Sequence, residues 1–267
     1  MTAGGPLVLV LSCEHGVNRI PARYADRFRS AAARAALDGH RGRDIGALPA
    51  ARALARWFRV PLVTAPASRL LVETNRSPHN PAVFSEFVKT LDRGERERIL
   101  RLYYTPHRER VEAAIRRAAG AGKGKRKGKV LHVAVHSFTP RLRGVTRNAD
   151  IALLYDPAHS GEPSFCASWR RALLAADPGL RVRRNYPYRG RDDGLTRDLR
   201  RRFGPKYLGV ELEMNQALLG TDARRLIRAA ARSLAEAIRP RLPNKERGKP
   251  CGLPLEFRFP PGELKAP

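Results

Sequence analysis

Cysteine is scarce in this chain: Cys13, Cys166 and Cys251 are the only three among 267 residues. Their number is odd and none are in Cys-x-x-Cys spacing, which argues against a disulfide framework or a cysteine zinc knuckle and leaves reduced thiols. Long apolar runs are also missing. No stretch reaches the roughly 18 apolar residues of a membrane-spanning helix. The amino-terminal segment has no basic region before its apolar run and no small-residue cleavage site after it. It reads as the first core strand of a cytoplasmic protein, not as a secretory signal. Acidic side chains are the third shortage: 25 Asp and Glu face 52 Lys and Arg, a formal charge of +27. Such an excess attracts polyanions without sequence preference. Most of it, however, is arginine dispersed through Ala/Leu-rich helical stretches (31–36, 50–59 and 223–239), the pattern of solvated helix faces.

With 42% hydrophobic residues the chain can bury a full core. Two of its apolar runs end alike. Residues 8–13 stop on Glu14-His15-Gly16, and residues 130–135 run into His136-Ser137-Phe138-Thr139-Pro140. Buried strands read as short apolar runs bounded by turn residues, and open α/β sheets bind ligands beyond the carboxyl ends of their strands. If the two strands are sheet neighbours, His15 and His136 meet.

Between and beyond them, the spacing predicts a helix over 21–37 and a polar loop at 40–47. That loop opens a second helix near Asp44, whose side chain is placed to cap it. Strands are expected at 60–64 and 69–74, the second delivering Asn75-Arg76 into a loop. One or two helices over 91–119 are expected to break near Thr105-Pro106. Residues 120–129, with five cations in the seven positions from Lys123 to Lys129, read as a flexible surface loop and a possible non-specific polyanion arm. Strands at 130–135, 151–155, 180–184 and 207–214 then alternate with helices at 162–176, 196–203 and 222–239. This alternation predicts one α/β domain over residues 1–240 with helices on both faces of the sheet. A Pro/Gly-rich tail (241–267) is expected to lie on the surface or fray.

Histidine is the commonest metal ligand, and catalytic zinc takes three protein ligands and keeps one position open. His15 and His136 supply two; Asp44, Glu14 and His40 are candidates for the third. His132, two residues before Ala134 on the same strand, is read as structural. A metal hydrolase also needs a carboxylate to move a proton, and Glu211 and Glu213 share one face of an otherwise apolar strand. Asn75-Arg76 pairs an amide with a planar guanidinium, a combination suited to a substrate carboxylate. Arg69, Arg147 and the 185–196 loop are lesser versions of that idea.

With those residues in view, the chain resembles the N-formylglutamate amidohydrolase family from about residue 8 to 216. The motifs are Ser12-Cys13-Glu14-His15-Gly16-Val17-Asn18-Arg19-Ile20-Pro21, Asp44-Ile45-Gly46-Ala47, Ser68-Arg69-Leu70-Leu71-Val72-Glu73-Thr74-Asn75-Arg76, Val135-His136-Ser137-Phe138-Thr139-Pro140, Asn185-Tyr186-Pro187-Tyr188 and Gly209-Val210-Glu211-Leu212-Glu213. The resemblance implies a zinc-carboxypeptidase-like fold with a mixed, mostly parallel sheet. It also implies one zinc ion held by His15 and His136, a substrate carboxylate gripped by Asn75-Arg76, and Glu211 as the catalytic glutamate. Zinc carboxypeptidases have a ligand glutamate three residues after the first histidine, where this chain has Asn18. Asp44 is the expected replacement, with Glu14 second. The expected reaction is hydrolysis of an N-acyl acidic amino acid such as N-formylglutamate. The alternatives are a carboxypeptidase-like or other N-acyl amino acid or peptide hydrolase and, in another class, a basic nucleic-acid-associated protein.

Overall fold

The computed structural model describes residues 7–120 and 129–239. The basic stretch 121–128, with its expected polyanion arm up to Lys127, and the 241–267 tail lie outside the described residues. The strands are β1 (Leu7–Cys13), β2 (Leu62–Thr64), β3 (Lys129–Phe138), the two-residue hairpin partners β4 (Arg141–Leu142) and β5 (Val145–Thr146), β6 (Ile151–Leu154), β7 (Val182–Arg184) and β8 (Tyr207–Asn215). Six of them form one mixed sheet in the order β2-β1-β3-β8-β6-β7. The pairs β1–β2, β1–β3, β3–β8 and β6–β7 are parallel, and only β6–β8 is antiparallel.

Alternation along the central strands sorts the residues onto two faces. Leu131, Val133 and Val135 of β3 join Leu11 of β1, Val210, Leu212 and Met214 of β8, and Ile151 and Leu153 of β6 in the largest core cluster. Helices α1 (Ala31–Asp38), α2 (Ala47–Phe58), α3 (Arg93–Ile99), α4 (Thr105–Gly120), α5 (Glu162–Ala176), α6 (Leu195–Phe203), α7 (Gln216–Thr221) and α8 (Ala223–Ile238) surround the sheet. α2, α5 and α8 cover the apolar face, and α4 and α6 cover the other. Under α4 and α6, Val10, Val130 and Tyr207 pack against Val111, Ile115, Leu195 and Leu199. Toward the carboxyl edge the same face becomes polar, with Ser12, His132, His136, Glu211 and Glu213. His132 is structural as expected: it bonds Ser12 Oγ and the Tyr207 hydroxyl, each at 2.7 Å. Burial lowers its pKa to about 4, so it stays neutral.

A buried ion pair ties the second face together. Arg200 of α6 donates Nε to Glu162 Oε1 of α5 at 2.8 Å, Nη1 to Gly190 O at 2.7 Å and Nη2 to Gly209 O at 2.8 Å. Glu162 also accepts the Gly209 N–H, at 2.7 Å. Among the described residues no helix is long and apolar enough to cross a membrane.

Several local expectations are corrected. Ser30 caps a new helix by accepting the Ala33 N–H, so 21–37 splits into a 3-10 segment (Ala22–Phe28) and α1. Residues 69–74 form turns, not a strand: Ser68 accepts the Leu70 and Leu71 N–H groups, and Leu70, Leu71 and Val72 are buried in a satellite cluster with Tyr24 and Phe28. The 91–119 helix does not break at Thr105-Pro106. It passes through a π turn at Leu100–Tyr104, where the Thr105 N–H reaches Leu100 O. Pro106 has no N–H to give the preceding turn, so the wider turn absorbs the gap. Helix α7 was not foreseen; Asn215 caps it by accepting the Ala217 N–H.

Candidate metal centre

Because β1 and β3 are parallel neighbours, their carboxyl ends carry His15 and His136 to one place, with ring centroids 4.9 Å apart. The Asp44 N–H donates to His15 O at 2.8 Å, which draws the loop before α2 across the sheet edge. Asp44 therefore does not cap α2, which begins three residues later behind Gly46. Its Oδ2 lies 3.0 Å from His136 Nδ1 and 3.5 Å from His15 Nδ1, and accepts the Ser137 N–H at 3.3 Å. All three residues are buried, and their ligand atoms fall within 4.8 Å of one another, a group that could hold a metal ion.

The far nitrogen of each ring faces a carboxylate. His15 Nε2 bonds Glu73 Oε1. Glu73 in turn accepts the Asn75 N–H at 3.0 Å and Arg69 Nε at 2.8 Å. His136 Nε2 lies 3.2 Å from Glu14 Oε2. Glu14 is thus a partner of His136 and not a third member of the group, and His40 is exposed on the cleft rim. Carboxylates behind imidazoles are what orient metal-ligating histidines and raise their basicity.

The donor set fits a small divalent cation. Ligand bonds of about 2.0–2.1 Å in tetrahedral array place donors roughly 3.3–3.4 Å apart; the two separations from Asp44, 3.0 and 3.5 Å, bracket that value, and the three donors together lie within 4.8 Å. The charges agree. Burial opposes ionisation of Glu14, Asp44 and Glu73, but the surrounding histidines, and for Glu73 first Arg69, hold all three below the usual carboxylate range. Burial likewise disfavours charged His15 and His136, yet the facing carboxylates raise both, His136 strongly. Three carboxylates against the single Arg69 guanidinium leave a surplus of two negative charges. Two imidazole protons or one dication would match it.

On β8, Glu213 stands opposite His136 in register and Glu211 opposite Ala134. Glu213 is buried with Oε2 unbonded. Burial, reinforced by Asp44 and Glu211 and opposed by His136, pushes its carboxyl to about 8. Glu211 is half-buried and accepts the Thr196 hydroxyl at 2.9 Å.

A cleft of about 530 Å³ opens onto Asp44 and Glu73, with Arg69, Arg76, Tyr188 and Gln216 in its walls. Arg76 donates Nη1 to Asp193 O at 2.7 Å, and its carbonyl accepts the Tyr104 hydroxyl at 2.8 Å. Asn75 Oδ1 accepts the Leu195 N–H at 3.0 Å. Arg69 reaches the cleft with its guanidinium engaged by Glu73 and Asp44. Arg147 stands behind Tyr188, its guanidinium 5.0 Å from the ring centre. Asn185 holds that loop in place: at φ 50° its Oδ1 accepts the Tyr155 and Gly190 N–H groups. The structure thus brings His15, His136 and Asp44 together, as the sequence reading expected, and places Arg76 in the cleft wall. Sequence reasoning assigned no role to Glu73, to Tyr188 or to His107, which lies 3.5 Å from Glu14. The only signal for Glu73 was its place two residues before Asn75.

The N-formylglutamate amidohydrolase family profile matches residues 7–219, a span that includes both histidine strands, the Asp44 loop and β8. Gene product Atu2144 from Agrobacterium tumefaciens is similar in structure with a TM-score of 0.70 at 30% identity, over 88% of this chain and 91% of that one. N-formylglutamate amidohydrolase from Ralstonia eutropha JMP134 has the same fold with a TM-score of 0.62 at 20% identity, over 88% of this chain and 94% of its own. Curated protein sequences give no significant match. Taken with the fold and the residues at its sheet edge, the profile match shows that the chain belongs to the N-formylglutamate amidohydrolase family, a relationship that supports hydrolysis of an N-acyl amino acid amide.

Proposed function

We propose that the protein is a zinc-dependent amidohydrolase that removes an N-acyl group, formyl in the first instance, from an acidic amino acid such as glutamate. The observation that carries this reading is the convergence of His15 Nδ1, Asp44 Oδ2 and His136 Nδ1, with a carboxylate behind each ring. These three residues would hold the ion. Zinc bound there supplies Lewis-acid polarisation of the scissile carbonyl and acidifies water.

The remaining work falls to the protein. Arg76 and Asn75 anchor the α-carboxylate of the substrate, the guanidinium by its planar pair of N–H donors. Asp193 and Tyr104 fix where that anchor stands, and a fixed anchor removes rotational freedom before reaction. Arg69, Arg76 and Lys89 on the cleft walls favour an acidic substrate. Glu213 takes the proton of the attacking water and delivers it to the leaving nitrogen. The family resemblance points to Glu211 for this role; Glu213 is preferred because it stands opposite His136 in register and is buried with Oε2 unbonded. Glu211 accepts the Thr196 hydroxyl instead.

Purified protein is expected to hydrolyse N-formylglutamate, to lose activity on chelation and to regain it with zinc. Activity indifferent to chelators, or surviving His136→Ala, overturns the metal reading. A panel of N-acyl amino acids and carboxy-terminal peptides tests the substrate; faster cleavage of the peptides overturns the acyl amino acid assignment.

A further inference from the structure

Helix α4 turns a buried stripe of His107, Val111, Ile115 and Ala118 toward the sheet. The spacing is that of one helix face, and three of its four members are apolar. His107 is fully buried. An imbedded imidazole without a partner is strongly unfavourable, so a histidine in an apolar stripe calls for one. The group it faces is Glu14: His107 Nε2 lies 3.5 Å from Glu14 Oε1, while Glu14 Oε2 lies 3.2 Å from His136 Nε2. Among the described residues neither carboxylate oxygen of Glu14 and neither His107 nitrogen makes a hydrogen bond, so these two ion-pair approaches are the polar contacts that Glu14 and His107 have. Glu14 is therefore a buried carboxylate suspended between two imidazoles, one on α4 and one at the candidate metal centre.

The π turn at Leu100–Tyr104 explains how His107 comes to face it. One extra residue in a turn rotates the following helix by about 100°. Before the turn, Ile99 packs in the satellite cluster with Leu70, Leu71 and Val72; after it, Val111 and Ile115 pack on the sheet. The change of face carries His107 over the end of β1.

We infer that His107 is a positioning residue for the metal centre: it fixes Glu14, and Glu14 fixes His136 so that Nδ1 points toward Asp44. This rests on the reading of His15, Asp44 and His136 as ligands and extends the centre to a helix outside the family motifs recognised in the sequence.

Zinc affinity, measured by competition with a chromophoric chelator, tests it in the full chain. Thermal melts establish that each variant is folded. His107→Phe keeps bulk without a donor and is expected to weaken zinc binding about 10–100-fold, the usual effect of losing an outer partner. His107→Gln retains an N–H and is expected to recover most of the loss. Ile115→Ala, on the same stripe, is expected to lower the melting temperature and leave zinc affinity unchanged, which a merely structural role for His107 would also do. If His107→Phe does not fold, His107→Asn, whose shorter amide falls away from Glu14, is compared with His107→Gln under the same expectation. Wild-type protein that binds one equivalent of zinc no more tightly than His107→Phe, or than His107→Asn in its place, overturns the inference and spares the metal reading. Wild-type protein that binds no zinc overturns both.

Discussion

Replacing Glu213 with glutamine separates the proton it carries from the reaction it serves. The residue is 5% exposed, and its carboxyl titrates near 8, against the usual 4.5. A carboxyl raised on folding binds a proton that the unfolded chain has lost between those two values. Its contribution is complete below the unfolded pKa and is lost as pH rises through the folded one. The slope is about 1.4 kcal/mol per pH unit. Over 8 − 4.5, or roughly 3.5 units, the loss reaches at most about 5 kcal/mol, an upper bound because the neighbouring charges titrate together. Glutamine cannot ionise. In chelator, Glu213→Gln is therefore expected to match wild type in urea unfolding at pH 5 and to exceed it by several kcal/mol at pH 9. Deacylation is expected to fall by about 10²–10⁴, the usual value of a general acid–base. Parallel pH–stability profiles would refute the buried-proton argument. Activity retained in Glu213→Gln and abolished in Glu211→Gln would return proton transfer to Glu211.

Arg76→Lys replaces a planar fork with a point charge, and the KM for N-formylglutamate is expected to rise about tenfold or more with a smaller change in kcat; an unchanged KM would place the substrate carboxylate elsewhere. Arg200→Met leaves Glu162 buried without its cation and is expected to cost about 3–5 kcal/mol in urea unfolding; a loss under about 1 kcal/mol would show that this clamp does not hold α5, α6 and β8 together. Protons compete with the ion for His15 and His136, and both pKa values are raised. Zinc affinity is therefore expected to fall on acidification from above the usual histidine range, with proton release seen by calorimetry in buffers of different ionisation enthalpy. Affinity independent of pH between 6 and 8 would contradict that.

The two histidines were legible because strands covered on both faces read as continuous apolar runs, and the residue ending each run marks the sheet edge where ligands gather. The alternation of such runs with helical spacing also carried the fold class. Asp44 was harder. A carboxylate a few residues ahead of a helix looks like a cap, and only the bond from its N–H to His15 O, across 29 positions, reveals that it faces the sheet. Leu70, Leu71 and Val72 misled for a related reason: burial selects the same residues whether the backbone is extended or turned. Parity put Glu211 and Glu213 on one face but could not choose between them. The register that sets Glu213 opposite His136 and Glu211 opposite Ala134 pairs strands far apart in the sequence. The contact of His107 with Glu14 is equally non-local, and the π turn that aims it leaves no pattern in composition.

One zinc ion per chain is the central prediction, and metal analysis joined to a crystal structure of the zinc-loaded protein tests it most directly. The expected result is a single ion within about 2.0–2.2 Å of His15 Nδ1, a carboxylate oxygen of Asp44 and His136 Nδ1, with stoichiometry lost in Asp44→Ala. A chain that deacylates N-formylglutamate with no bound metal, or an ion ligated by Glu14 in place of Asp44, would contradict it.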